Sequence, residues 1–275
     1  MIVLNGDDLA EAFVAACGKG PLAMVKLLLA RGAVPNTRRR KDGFSPLRAA
    51  VGQRSLEIVR HLVSNGADVN ATNHWETPLS LATHYGSLEI VQHLVLNGAD
   101  VNGPFGLIPS TLAIASRNGH LAIVQFLLTK GAEVNRNSES LAPLAACLSS
   151  PSSDFDFAIV QLLIAHGADV NAQGALLEGT PLIIAVDRRR EVNVVQYLLD
   201  HGADVNLRAG RQKRSPLEVS LDKGNAACTR LLLQYGAETA SLDNSQREQM
   251  QGLLSMKSDA PSEDYWEDSE GSRSI

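Results

Sequence analysis

Seven glycines, Gly32, Gly66, Gly98, Gly131, Gly167, Gly202 and Gly236, punctuate the chain at spacings of 34, 32, 33, 36, 35 and 34 residues. Each follows an aliphatic run and precedes Ala, and five of the seven continue as Asp/Glu-Val-Asn, as in Gly66-Ala67-Asp68-Val69-Asn70. A second signal lies 21 to 25 residues upstream of every glycine but the first: Ser45-Pro46-Leu47, Thr77-Pro78-Leu79, Ser110-Thr111-Leu112, Ala142-Pro143-Leu144, Thr180-Pro181-Leu182 and Ser215-Pro216-Leu217. Self-similarity at this period argues against a single closed core. It calls for one supersecondary unit, copied and stacked, each copy burying its neighbour's apolar face.

Each signal has a physical reading. Ser or Thr before Pro starts a helix, because the hydroxyl accepts from a free backbone N–H and Pro stands where no N–H is needed. A short first helix follows, Pro78 to His84 for instance, and ends near Gly86. Leu88, Val91, Leu94 and Val95 recur at spacings of three and four, which predicts a second, amphipathic helix over 88–96. Gly98 supplies the left-handed residue that ends it, Ala99 permits close approach, Val101 buries, and Asp100 and Asn102 favour a turn into an extended finger. Thr-Pro-Leu and Gly-Ala-Asp-Val-Asn, in phase across six repeats between about residues 7 and 240, resemble the ankyrin repeat family.

The resemblance implies an all-α ankyrin-repeat solenoid of stacked helix-turn-helix units with short extended fingers. The expected organisation is an N-terminal capping repeat at 1–36, repeats at 37–70, 71–102, 103–135, 136–171, 172–206 and 207–239, a C-terminal capping helix at 240–257, and a disordered acidic tail at 258–275. The first repeat lacks Thr-Pro and presents Asp7, Glu11 and Lys19, as a cap should. Ser245-Gln246-Arg247-Glu248 reads as a capping box, with Met250, Leu253 and Leu254 behind it to cover the last repeat. The fifth repeat carries an insertion, Leu148 to Asp154, between its helices, and the sixth has one extra residue within Asp187-Arg188-Arg189-Arg190. The family's usual His after Thr-Pro-Leu is replaced throughout, by Arg48, Ser80, Ala113, Ala145, Ile183 and Glu218, which removes an expected tie between turns.

Composition narrows the function. A 44% hydrophobic chain with 4% aromatics builds an aliphatic core, and a net charge of -5 gives no global reason to bind nucleic acid. No apolar run approaches the ~20 residues that cross a bilayer, and the N-terminus reaches Asp7 and Asp8 with no basic segment ahead of an apolar one. Three widely spaced cysteines, Cys17, Cys147 and Cys228, do not make a disulfide framework, so a cytoplasmic or nuclear setting is expected.

The resemblance implies binding of another protein through finger tips and the exposed side of the first helices. The corresponding positions here are Phe44, His74, Trp75, Glu76, His84, Tyr85, Phe105, Leu107, Arg117 and Asn118, with Arg188, Arg211, Arg214 and Lys223 toward the far end. Aromatic and apolar groups gather in repeats 2 to 4 and positive charge in repeats 6 and 7, which suits a partner with apolar anchors at one end and acidic residues at the other. The basic runs Arg38-Arg39-Arg40-Lys41 and Arg208 to Arg214 lie in fingers, where charge is commonly just solvated. The acidic tail around Tyr265-Trp266 is a candidate linear motif or a segment that folds back on a basic finger. The family resemblance also marks Asn70, Asn102, Asn135, Asn171 and Asn206 as positions for asparaginyl hydroxylation.

No catalytic constellation is visible. His61 and His93 share one phase of the second helix, His166 and His201 precede the terminating glycine, and none has the spacing of a zinc site. No nucleophile elbow, phosphate loop or dinucleotide fingerprint occurs. Cofactors and metals are therefore not expected, and the chain reads as a monomeric non-enzyme. The alternative is an accessory protein or unconventional enzyme of a small-molecule biosynthetic pathway. It would use the same groove, with His84, Tyr85 and Arg117 as acid, base and anion holder. A continuous basic stripe for nucleic acid is interrupted by Glu76, Asp100, Asp169 and Asp204.

Overall fold

The computed structural model describes residues 6–72, 76–103, 109–135, 142–151, 155–173 and 179–255. The first five residues, parts of four fingers, part of the insertion and the acidic tail lie outside these. Among the described residues there are fifteen helices and no strand. First helices are α1 (Gly6–Lys19), α3 (Pro46–Gly52), α5 (Pro78–His84), α7 (Thr111–Arg117), α9 (Pro143–Leu148), α11 (Pro181–Asp187) and α13 (Pro216–Asp222). Second helices are α2 (Leu22–Ala30), α4 (Leu56–Ser64), α6 (Leu88–Leu96), α8 (Leu121–Thr129), α10 (Phe157–Ala165), α12 (Val192–Asp200) and α14 (Ala226–Gln234), and α15 (Asn244–Ser255) follows. The first helices form a continuous row from α1 to α13, each also packed on its own second helix.

The helices start and stop for the reasons read from the chain. Ser45, Thr77, Ser110, Thr180 and Ser215 each accept from the backbone N–H three residues on, at 3.0–3.3 Å. Ala142 lacks a hydroxyl, and α9 starts on Pro143 alone. The shared seam is aliphatic: Leu62, Leu94, Leu127, Leu163, Leu198 and Leu232 are all 0% exposed, each burial contributing about 1.5–3 kcal/mol. The seven repeat glycines have φ between 82° and 93°, and a Cβ there would meet nothing within 4 Å. Their requirement is conformational, not steric. Val101, expected to bury, is only half-buried, whereas Val69 and Val170 are buried.

Asparagines join the units. At all six junctions, Asn36, Asn70, Asn102, Asn135, Asn171 and Asn206 donate from Nδ2 to the carbonyl of the next repeat glycine, at 2.6–3.3 Å. The same six accept at Oδ1 from the amide two residues beyond that glycine, at 2.7–2.9 Å. The ties lost with the family histidine are partly replaced. Ser80 and Glu218 reach back to the amides of Thr77 and Ser215, and Arg48 donates to Glu76 at 2.7 Å.

The insertion is held by a buried arginine. Arg190, 6% exposed, donates to Leu148 O at 2.9 and 3.1 Å and to Ser150 O at 2.5 Å, with its guanidinium 4.1 Å from the centre of the Phe155 ring. Neighbouring Arg189 takes φ of 54° where other repeats use Gly86, Gly119 or Gly224, and donates to Lys223 O across the next junction.

Both ends differ in detail from expectation. The box that starts α15 is Asp243 with Gln246, not Ser245 with Glu248: each side chain accepts from the other's backbone N–H, at 2.8 and 3.1 Å. Buried Leu242 anchors the chain just before it, so the helix begins earlier and turns Leu254 to solvent while Met250 and Leu253 pack. At the other end the polar cap is confined to α1, where Asp7 pairs with Arg40 at 2.6 Å. On α2, Met24 is 44% exposed, although its equivalents Ile58, Ile90, Ile123 and Ile159 are buried.

Candidate interaction surface

Fingers and first helices share one side of the array, and two clefts open there. The first, about 400 Å³, lies across repeats 1 to 3: α1 contributes Val14, Ala15, Gly18 and Lys19, the finger and α3 contribute Arg39, Phe44, Arg48, Ala49 and Gln53, and α5 contributes Leu81 and Tyr85. Phe44 is clasped between two guanidiniums, Arg48 at 3.6 Å and Arg39 at 5.2 Å from the ring centre. Carboxylates hold both cations: Asp42 pairs with Arg39, and Glu76 with Arg48. The hydrogen bond from Arg39 holds the Asp42 carboxyl below the usual carboxylate range. The cleft thus holds an aromatic ring in a cationic frame over an apolar floor of Val14, Ala15 and Leu81.

Tyr85 stands at the rim, 42% exposed, its ring meeting His84 edge-on at 5.3 Å. Asn118 donates to the His84 carbonyl at 3.2 Å, which continues this polar edge into repeat 4, where Arg117 is exposed. The structure thus brings Phe44, Glu76, His84, Tyr85 and Asn118 along one edge. His74, Trp75, Phe105 and Leu107 lie outside the described residues. The sequence pattern does not single out Val14, Ala15 and Gly18 as lining a cleft and marks Lys19 only as part of a cap, because the first repeat has the pattern of a terminal unit. The small residues on the exposed side of α1 were the available signal.

The second cleft, about 280 Å³, lies across repeats 6 and 7 over Ile183, Ile184 and Val219, and Arg188, Arg211 and Arg214 line it. Part of its charge is internally balanced: Arg214 pairs with Asp222 at 2.6 Å and Lys223 with Asp187 at 2.9 Å. The N-terminal basic run is also tied into the fold. Arg38 donates to Thr72 O, Arg39 pairs with Asp42 and Arg40 with Asp7.

The three cysteines and two of the histidines are built in as structure. Burial pushes the Cys17 and Cys147 thiols up to about 12 and Cys228 up to about 11, so all three are neutral and shielded. His166 and His201 bond from Nδ1 to the carbonyls of Leu162 and Tyr197, each at 2.8 Å, closing the last turn of α10 and α12. Among the described residues no group of His, Cys, Asp and Glu is placed to hold a metal, and no helix is long and apolar enough to cross a membrane.

A profile of ankyrin repeats matches three stretches, residues 12–105, 74–138 and 144–243, the first two overlapping. The chain belongs to the ankyrin repeat family. Among solved structures it is similar to the human ASB11 ankyrin repeat domain, with a TM-score of 0.68 and 28% identity over 83% of this chain and 99% of that one. A comparison with curated proteins finds no match. Because 559 chains of solved structure match, the likeness speaks for the architecture and not for one partner. Ankyrin repeats are in general protein–protein interaction units and typically not enzymes.

Proposed function

We propose that this ankyrin array works by equilibrium capture of a protein partner, as an adaptor, scaffold or inhibitor, in the cytosol or nucleus. The observation that carries the reading is the cleft of repeats 1 to 3, where Phe44 sits between Arg39 and Arg48 with Tyr85 exposed at its rim. Aromatic groups and arginines whose positions are already fixed lose little side-chain entropy on binding, the usual property of residues that dominate interface energy. The partner presents an apolar anchor to this cleft and acidic residues toward repeats 6 and 7. Arg117 and Trp75 belong to the same contact.

Affinity purification of the chain from its native host, with mass spectrometry, identifies the partner. Replacing Trp75, Tyr85 and Arg117 together by Ala is expected to abolish its capture while leaving helicity intact. Undiminished capture by the triple variant rejects this surface. Hydroxylation at Asn70, Asn102, Asn135, Asn171 and Asn206 is a further part of the proposal, read as a gain of one oxygen per site in native material. Finding only unmodified peptides rejects it.

A further inference from the structure

The cleft of repeats 6 and 7 carries positive charge that its own carboxylates leave over. Arg214 and Lys223 are neutralised by Asp222 and Asp187, but Arg211, exposed on the finger before α13, has no ion pair among the described residues. Lys213 beside it is exposed as well, and the floor beneath is Ile183, Ile184 and Val219. A shallow apolar floor of about 280 Å³ under free cations suits an aromatic side chain flanked by carboxylates.

The chain itself supplies that chemistry. Its last 20 residues hold Asp259, Glu263, Asp264, Glu267, Asp268 and Glu270 against Lys257 and Arg273, with Tyr265-Trp266 in the middle of the carboxylates. Four of the five net negative charges of the whole chain lie there. We propose that residues 263–268 dock in this cleft in cis, seating the Tyr265-Trp266 pair on the α11–α13 floor with their carboxylates against Arg211, so that an acidic partner must displace them.

Reach and charge both select this cleft. Helix α15 packs on α13 and α14 and ends at Ser255. The ten residues from there to Tyr265 extend to roughly 35 Å, whereas two helix spacings are roughly 20 Å. The cleft of repeats 1 to 3 is about five spacings away, on the order of 45 Å, and its arginines are already paired with Asp42 and Glu76. A tether of this length holds its end at an effective concentration on the order of 1 mM, so a free-peptide Kd of about 100 µM gives roughly ten seated chains to one open. The contact is internal and stands whether or not the other cleft binds a protein.

Trp75 and Trp266 are the two tryptophans, so Trp75→Phe in the full chain leaves Trp266 as sole reporter. Its emission is expected to be blue-shifted, and its quenching by acrylamide several-fold weaker than in a free peptide of residues 256–275. Arg211→Glu with Lys213→Glu should restore the free-peptide values at unchanged circular dichroism. Adding Asp264→Lys and Glu267→Lys should recover protection. Quenching equal to that of the peptide overturns the proposal, and so does protection that ignores the charge reversal. Protection that grows with protein concentration places the tail on a second copy and overturns the intrachain contact.

Discussion

Replacing Arg190 by Ala is expected to cost about 3–5 kcal/mol of stability, the range for breaking a buried, hydrogen-bonded charged group. The figure follows from what the side chain holds. Its guanidinium meets Leu148 O, Ser150 O and Ser150 Oγ, so truncation leaves two buried carbonyls without their donor. Each such orphan costs about 1–3 kcal/mol. Loss of the stacked contact with Phe155 adds up to about 2 kcal/mol. A partial offset arises because burial pulls the Arg190 pKa below its ordinary value, so removing the charge also relieves its desolvation. Arg190→Met, which keeps volume but no donor, should therefore fall below Ala at about 2–3 kcal/mol. Arg190→Lys, a point charge that cannot fork to both carbonyls, should fall lower still. Urea unfolding followed by circular dichroism gives the magnitudes, and hydrogen exchange gives their location. In a quasi-one-dimensional stack the damage stays near its junction, so amides of α9 to α12 should lose protection while α3 to α6 keep theirs. A loss below about 0.5 kcal/mol for Ala, within the range of an ordinary surface change, or a uniform loss across all helices, refutes the account of Arg190 as the clasp of the insertion.

Three further outcomes follow from the same structure. Asn102→Ala removes both ladder bonds of one junction and should cost about 1–2 kcal/mol by urea titration, more than an Ala change at exposed Leu96. Burial, with Arg60 nearby, lowers the His93 pKa from 6.5, and Nε2 has no partner. The folded state thus keeps His93 neutral while the unfolded chain takes a proton, so this stability is present above pH 6.5 and is lost as pH falls through and below it. His93→Gln should flatten that acid limb, and an unchanged limb by thermal melts from pH 7.5 to 5 contradicts the assignment. The three buried thiols should resist an aromatic disulfide reagent at pH 8 and all react once the chain is unfolded; fast native labelling would show that a core helix opens.

The local grammar of this protein is legible in its residues. Thr-Pro and Ser-Pro caps, aliphatic spacing of three and four, and the glycine stops act within a few positions of themselves, so they mark helices such as Pro78–His84 and Leu88–Leu96 directly. The candidate site is only half legible. Phe44 and Tyr85 stand out by type and phase, but the floor that α1 gives their cleft depends on how closely α1 meets α3. In Asp187-Arg188-Arg189-Arg190, three identical side chains stand in a row, and the sequence assigns a surface role to Arg188 alone. One lines a cleft, one takes a left-handed turn to reach Lys223, and one is buried on carbonyls 40 and 42 positions away.

What the sequence by itself determined is the unit and its repetition, because those are written in short-range periodicity. Which charges cancel, which arginine carries the insertion and where two clefts open were decided only by the tertiary structure. Pairs such as Arg48 with Glu76, 28 residues apart, acquire meaning when stacking brings neighbouring repeats to within 3 Å of each other at one atom pair.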